Sequence, residues 1–232
     1  MDSITVSRDR VQTRVNEFVR SVYNWMCIGL AVTGFTAWYI AGSPSIMKVI
    51  SGGMFWLLII ATLGLVFVIS GMIDRISAGT ATGLFVLYSA LMGAMLSSIF
   101  LVYKFESIAS TFFICSGTFL ACSIYGWTTK RDLTSVGGFM MMGLIGIIIA
   151  SVVNIFMGSA MVYAVISYIG VIVFVGLTAY DTQKIKNMAL SQPDGLDGAV
   201  VRKGAILGAL SLYLDFINLF LMLLRIFGQS RD

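Results

Sequence analysis

The sequence predicts an all-α integral membrane protein with seven transmembrane helices, and three observations carry that expectation. Of the 232 residues, 58% are hydrophobic and only 11% are charged, where soluble domains carry about 25% charged residues. Mean hydropathy is +0.94. The apolar residues also fall into seven runs, each close to the roughly 20 residues a helix needs to cross a bilayer. No polar stretch is long enough to build a second core. The expected organisation is therefore a basic N-terminal tail over residues 1–20 and one transmembrane domain over residues 21–232.

The tail intersperses Arg8, Arg10, Arg14 and Arg20 with Val and Phe. That pattern fits either a helix lying on the membrane surface or a solvated basic arm. The first apolar run, 22–41, is too long for a signal-peptide core and lacks a small-x-small cleavage site, so it is expected to remain as a helix. The second and third runs, 54–73 and 80–102, are joined by a short link at 74–79 and form an antiparallel hairpin. Short links at 103–107 and 157–159 likewise join the third run to the fourth (108–127), and the fifth (137–157) to the sixth (160–181). The seventh run is 205–227. Both prolines, Pro44 and Pro193, fall in connections, so no helix is interrupted by proline. Small residues four apart, Ser89, Gly93 and Ser97 in the third run and Gly146 and Ala150 in the fifth, mark close helix packing.

Eleven of the 15 Lys and Arg residues lie on the side shared with the N-terminus, Arg75, Lys130, Arg131, Lys184 and Lys186 among them. The four on the other side are Lys48, Lys104, Arg225 and Arg231. By the positive-inside rule the N-terminus is cytoplasmic. A re-entrant last segment would strengthen that bias, and the rule does not separate the two cases. The net charge of +4 comes from tails and segment ends, which is a topology signal and no sign of nucleic-acid binding. The three cysteines (Cys27, Cys115, Cys122) lie inside apolar segments without a Cys-x-x-Cys pair, so neither a disulfide framework nor a zinc site is expected. Histidine is absent, which leaves carboxylates to carry most of any pH response.

Two carboxylates stand out. Asp215 sits in Leu212-Tyr-Leu-Asp215-Phe-Ile-Asn218-Leu-Phe-Leu-Met-Leu-Leu-Arg225, and Asp181 closes Gly176-Leu-Thr-Ala-Tyr-Asp181. A carboxylate within a span costs roughly 2.5–3.5 kcal/mol on insertion scales, and such a residue is a functional candidate with a partner expected nearby. Helical spacing puts Gly208, Ser211, Asp215, Asn218 and Met222 on one stripe, and Ser167, Gly170, Phe174, Thr178 and Asp181 on another. If the two stripes face each other, the carboxylates share a proton and titrate as a unit. Depth opposes this: with Asp181 at its span's end and Asp215 ten residues into the next, the offset is about 15 Å. Arg75, in Ile-Asp74-Arg75-Ile, is the cation expected on the same side as Asp181; the other reading of it is a topology anchor.

These same stretches, with Thr128-Thr-Lys-Arg-Asp-Leu133 after the fourth run, resemble the Bax inhibitor-1 (transmembrane BAX inhibitor motif) family over essentially the whole chain. Among its members the chain looks most like one from a bacterial inner membrane. The resemblance implies a bundle in which the last helix is central and six others wrap it. It also implies a pH-sensitive calcium leak, with Asp181 and Asp215 as sensor and transient calcium ligands, and Arg75 as a possible latch. Thr178, Ser211, Asn218 and Asn154 are the polar candidates for a pore lining. No resident cofactor is expected; calcium enters as permeant ion, and the partners are the bilayer, calcium and protons. Relatives in the family are associated with restraining membrane-bound quality-control proteases, so a regulatory protein acting on such a protease is the alternative reading. An enzyme is not expected. Tyr180-Asp181 is similar to the arrangement in intramembrane aspartyl proteases, but Asp215 lacks a preceding Gly-x-Gly and no proline follows Pro193.

Overall fold

The computed structural model describes residues 2–193 and 195–231, with side chains from residue 11 onward apart from residue 51. The side chains of Arg8 and Arg10, and with them half of the basic tail, lie outside the described residues. Nine α-helices follow one another. They are α1 (Asp2–Ala41), α2 (Pro44–Val49), α3 (Phe55–Met72), α4 (Ala78–Leu96), α5 (Ile99–Val102), α6 (Phe105–Thr128), α7 (Thr134–Met157), α8 (Ala160–Leu190) and α9 (Gly198–Phe227), among the described residues.

Local chemistry sets several of the breaks. Pro44 starts α2, where its missing N–H costs nothing. A π turn, Ile50–Met54, joins α2 to α3 and breaks at Gly52, whose ψ of −145° is not helical. Ser77 caps α4, its Oγ accepting from the Thr80 N–H at 3.0 Å. Gly158, at φ 61°, ends α7 in the left-handed conformation that glycine adopts without steric penalty.

Among the described residues, six helical segments are long and apolar enough to cross a membrane: Gly52–Met72, Ala78–Val102, Phe105–Thr128, Thr134–Met157, Ala160–Leu190 and Gly198–Phe227. The expected first span, 22–41, is the C-terminal half of α1 and is not among them. Its apolar residues are diluted by Tyr23, Asn24, Thr33 and Thr36. A single stripe of α1 is buried: Val15, Phe18, Val22, Met26, Gly29, Thr33, Ala37 and Ile40, in steps of three and four. The last two spans are longer than the sequence suggested, because α8 runs on through polar residues to Leu190 and α9 starts at Gly198. Of the six, α9 is by far the most enclosed, with 72% of its most apolar stretch buried against 6–39% for the others.

The chain divides into two compact units. The first comprises Met1–Val102 and Lys186–Tyr213. There α4 packs against α1 and α3. The α1–α4 approach is close: a Cβ on Gly93 would lie 2.5 Å from the Thr33 carbonyl oxygen, so the small-residue stripe of Ser89 and Gly93 is a packing seam. Thr33 donates its hydroxyl to the Ser89 carbonyl at 2.9 Å and lies 2.6 Å from the Tyr213 hydroxyl. The Tyr213 ring meets Phe85 and Tyr88 edge-on at 5.8 and 5.7 Å.

The second unit comprises Tyr103–Ile185 and Leu214–Asp232. One side of α6 is buried at Thr111, Cys115, Phe119 and Ser123, each four residues from the last. The Phe216 ring of α9 packs between Phe112 and Phe119, 5.5 and 5.4 Å from their centroids. Gly126 and Gly137 leave room for the backbone of Ala179 and the ring of Tyr180 on α8. Gly170 admits Met222 of α9, whose Sδ would lie 2.7 Å from an added Cβ. The other small-residue pair behaves differently. Gly146 has nothing within 4 Å of where a Cβ would stand, so it borders open space rather than a helix contact.

Candidate functional site

Both aspartates belong to the second unit, and α8 and α9 position them. Ser167, Gly170, Phe174 and Thr178 of the α8 stripe are buried and Asp181 is half-buried; on α9, Gly208, Asp215 and Met222 are buried and Ser211 and Asn218 half-buried. The apolar periodicity therefore points both stripes inward. Asp215 is 5% exposed. Its Oδ2 is buried with no hydrogen-bond partner among the described residues. Asp181 and Asp215 lie close enough for the charge of one to act on the other.

The depth objection fails because Asp181 does not end its helix. α8 continues nine residues beyond it, to Leu190, adding about 13 Å of helix at roughly 1.5 Å per residue. Lys184, exposed and nearly one turn on, is the cation whose charge acts on Asp181. A charged side chain past Asp181 reads as a span boundary in sequence, yet the backbone hydrogen bonding carries on through it.

The remaining candidates divide. Thr178 donates its hydroxyl to the Phe174 carbonyl at 2.7 Å, and Asn218 donates its amide to the Leu214 carbonyl at 2.8 Å. Both turn a donor back on their own helix and keep lone pairs for another partner. Asn154 is at the α7–α8 turn, where its Oδ1 accepts from the Ser159 N–H at 3.1 Å. Arg75 is exposed in the turn after α3, in the first unit, and its guanidinium makes no hydrogen bond or ion pair among the described residues. Among the described residues no group of three or more His, Cys, Asp or Glu side chains is placed to hold a metal ion.

Sequence reasoning missed several neighbours of the pair. Gln183, buried two residues after Asp181, accepts from the Leu133 N–H and donates to the Arg131 carbonyl, both at 2.8 Å. It thereby clips the 129–133 connection to α8. The Thr182 hydroxyl donates to the Thr178 carbonyl at 2.8 Å and lies 3.4 Å from Ser123 Oγ. The Cys115 thiol points to the Phe216 carbonyl at 3.7 Å, next to Asp215 in the chain. Thr111 Oγ1, like Asp215 Oδ2, is buried without a partner among the described residues. The available signal was small polar residues recurring along the buried side of α6, which resembles ordinary small-residue packing until partners are known.

An all-helical chain with six membrane-length segments and an aspartate buried in the last of them defines a class: polytopic membrane proteins with an ionisable group inside the bundle. The chain belongs to the family described as "Inhibitor of apoptosis-promoting Bax1", whose family model matches residues 15–232. It is 55% identical over 232 residues to "Inner membrane protein YbhL" of Escherichia coli (strain K12), covering 99% of this chain and 97% of that protein. It is 38% identical over 221 residues to "Uncharacterized membrane protein M6_Spy0327" of Streptococcus pyogenes serotype M6, covering 93% of this chain and 94% of that one. A protein of Borreliella burgdorferi is 48% identical over 219 residues, with 94% of each chain covered.

Proposed function

We propose that this protein is a pH-sensitive leak for calcium, gated by Asp181 and Asp215. The observation that carries the reading is the buried Asp215 carboxylate, with one oxygen unpartnered and the Asp181 charge acting on it. A buried carboxylate without a donor is stable only if it holds a proton or meets a cation. Two carboxylates within each other's field share that choice and respond to pH as one unit. Calcium prefers six to eight oxygen ligands; two carboxylates with Thr178, Ser211 and Asn218 offer fewer, and an ion so weakly held passes on. Asn154, at the α7–α8 turn, stands near an entrance in this reading.

The wider arrangement in this reading has residues 22–41 as the first of seven spans, α9 at the centre and six helices around it. The N-terminus is cytoplasmic, and the location is the inner membrane named for the Escherichia coli relative. Arg75 acts as the latch: it is drawn to Asp181 when that carboxylate is ionised and released when it takes up a proton.

Calcium flux into liposomes holding the purified full chain, measured from pH 5 to pH 8, tests the reading. The wild type is expected to show a pH-dependent flux that Asp215→Asn abolishes or flattens, and Arg75→Gln is expected to raise flux at the pH where the wild type is closed. An unchanged pH profile in Asp181→Asn removes the sensor role. No flux from pure protein, together with copurification of a membrane protease that depends on residues 1–20, would instead install the protease-restraint reading.

A further inference from the structure

At the C-terminal end of α9, the second unit holds a half-buried arginine that pairs with no carboxylate among the described residues. Arg225 lies in the last turn of α9. Its guanidinium sits over the Tyr163 ring, 4.7 Å from the centroid, and its Nη1 is 3.9 Å from Met222 Sδ. Tyr103 is the third member. Burial pushes its phenol above the usual value, the neighbouring Tyr163 adds to that, and Arg225 opposes it. The chain's last residues hold Tyr103 in place. Tyr103 pairs with Ser230 in an isolated bridge, the Lys104 N–H donates to the Gln229 carbonyl at 3.0 Å, and the Gln229 N–H donates to Ser107 Oγ at 3.0 Å. Among the described residues the guanidinium makes no ion pair, so its five N–H groups are met by a ring face and a thioether, neither of which is a strong acceptor.

A groove lies at the same end of α8, with Met161 and Val162 in its wall. It has a volume of about 460 Å³ and runs between α7 and α8, lined by Gly143, Gly146 and Ala150 on one side and Val162, Val165 and Ile169 on the other. Its size falls in the range of roughly 300–1,000 Å³ typical of small-ligand sites. The wall is almost wholly apolar, and Gly146 leaves it open where any side chain would fill it. Met161, in its wall, is 78% exposed. A cation over a phenol ring, at the same end of α8 as an apolar trough along two membrane-length helices, matches an amphiphile with an anionic head.

We propose that the second unit seats one phospholipid, its phosphodiester on Arg225 between the Tyr163 and Tyr103 hydroxyls and one acyl chain in the α7–α8 groove. Arginine suits the head because its fork of donors matches two phosphate oxygens, and the aromatic ring pre-orients it. A free phosphate has no use for the trough, and an uncharged diacylglycerol has none for the guanidinium.

The test is lipid binding to the delipidated full chain in detergent, read by native mass spectrometry. The probes are phosphatidylglycerol, diacylglycerol and inorganic phosphate. The wild type is expected to hold one phosphatidylglycerol in preference to both other probes. Arg225→Gln is expected to weaken that binding about tenfold, with Arg225→Lys in between. Arg202→Gln, which alters the exposed arginine stacked 5.6 Å over Trp25 in the first unit, serves as control and is expected to bind as the wild type does. Equal phosphatidylglycerol binding by Arg225→Gln and wild type overturns the head assignment; binding of phosphate or diacylglycerol as tight as phosphatidylglycerol overturns the two-part site. If Arg225→Gln does not fold, Gly146→Leu decides: it fills open space and should weaken binding several-fold, and unchanged binding would sink the proposal.

Discussion

The two halves of α9 treat their polar groups in opposite ways. In Gly198–Tyr213, within the first unit, the buried hydroxyl of Tyr213 has Thr33 at 2.6 Å, and Thr33 in turn reaches the Ser89 carbonyl. In Leu214–Phe227, within the second unit, Asp215 keeps an unpartnered oxygen and Arg225 faces a ring and a sulfur in place of a carboxylate. A satisfied polar group stabilises and fixes register; an unsatisfied one destabilises and persists where function retains it. One half of the helix has its polar groups satisfied, and the other leaves them without strong partners among the described residues.

Four substitutions break or sharpen that contrast, measured by thermal or denaturant unfolding of the purified protein. The largest effect is expected from Gly93→Val in the first unit. Its Cβ would lie 2.5 Å from the Thr33 carbonyl oxygen, and overpacking against backbone costs about 3 kcal/mol. Thr33→Val comes next, since it strands the Tyr213 hydroxyl in a buried site, at about 2 kcal/mol. Asp215→Leu should act with the opposite sign, gaining about 1 kcal/mol, because a costly buried carboxylate without a partner is replaced by a packed side chain. A loss of stability as large as that of Thr33→Val would show Asp215 to be another clip and would remove the contrast.

The smallest effect concerns the connection before α7. Asp132 accepts from the Thr134 hydroxyl at 2.6 Å and from its N–H at 2.9 Å, and these bonds hold its carboxyl below the usual range. A group whose value is depressed on folding contributes stability above its unfolded value and loses it as pH falls through the folded one. Thr134→Val should therefore lower the unfolding temperature slightly at pH 7. The difference should vanish on acidification below the ordinary aspartate range; a pH-independent difference would mean that the hydroxyl acts through packing alone.

Much of this was legible in the residues, and the exceptions share a cause. Six of the seven expected spans are helices within a few residues of their predicted starts, apart from α9, because twenty apolar residues leave few other ways to satisfy a backbone out of water. The remaining one, 22–41, is helical but not among the six, because Tyr23, Asn24, Thr33 and Thr36 dilute its apolar residues. The aspartates stood out because a carboxylate is anomalous against that background. Gln183, Thr111 and Cys115 did not, since polar residues of that size are common in helices and only their partners, or lack of them, make them informative. Arg225 read as a topology marker, because the ring it lies over is 62 positions away in the chain.

Composition and periodicity alone determined that this chain is built of membrane-length helices with two acidic residues each on a helical stripe, because apolar length and spacing are properties of each segment by itself. Only the tertiary structure decided which polar atoms are satisfied, that α8 carries Asp181 well inside its length, and that Gly146 borders a groove while Gly93 lies in a seam. Those outcomes depend on distances between segments remote in sequence, and a hydrogen bond or a steric clash is won or lost within a fraction of an ångström.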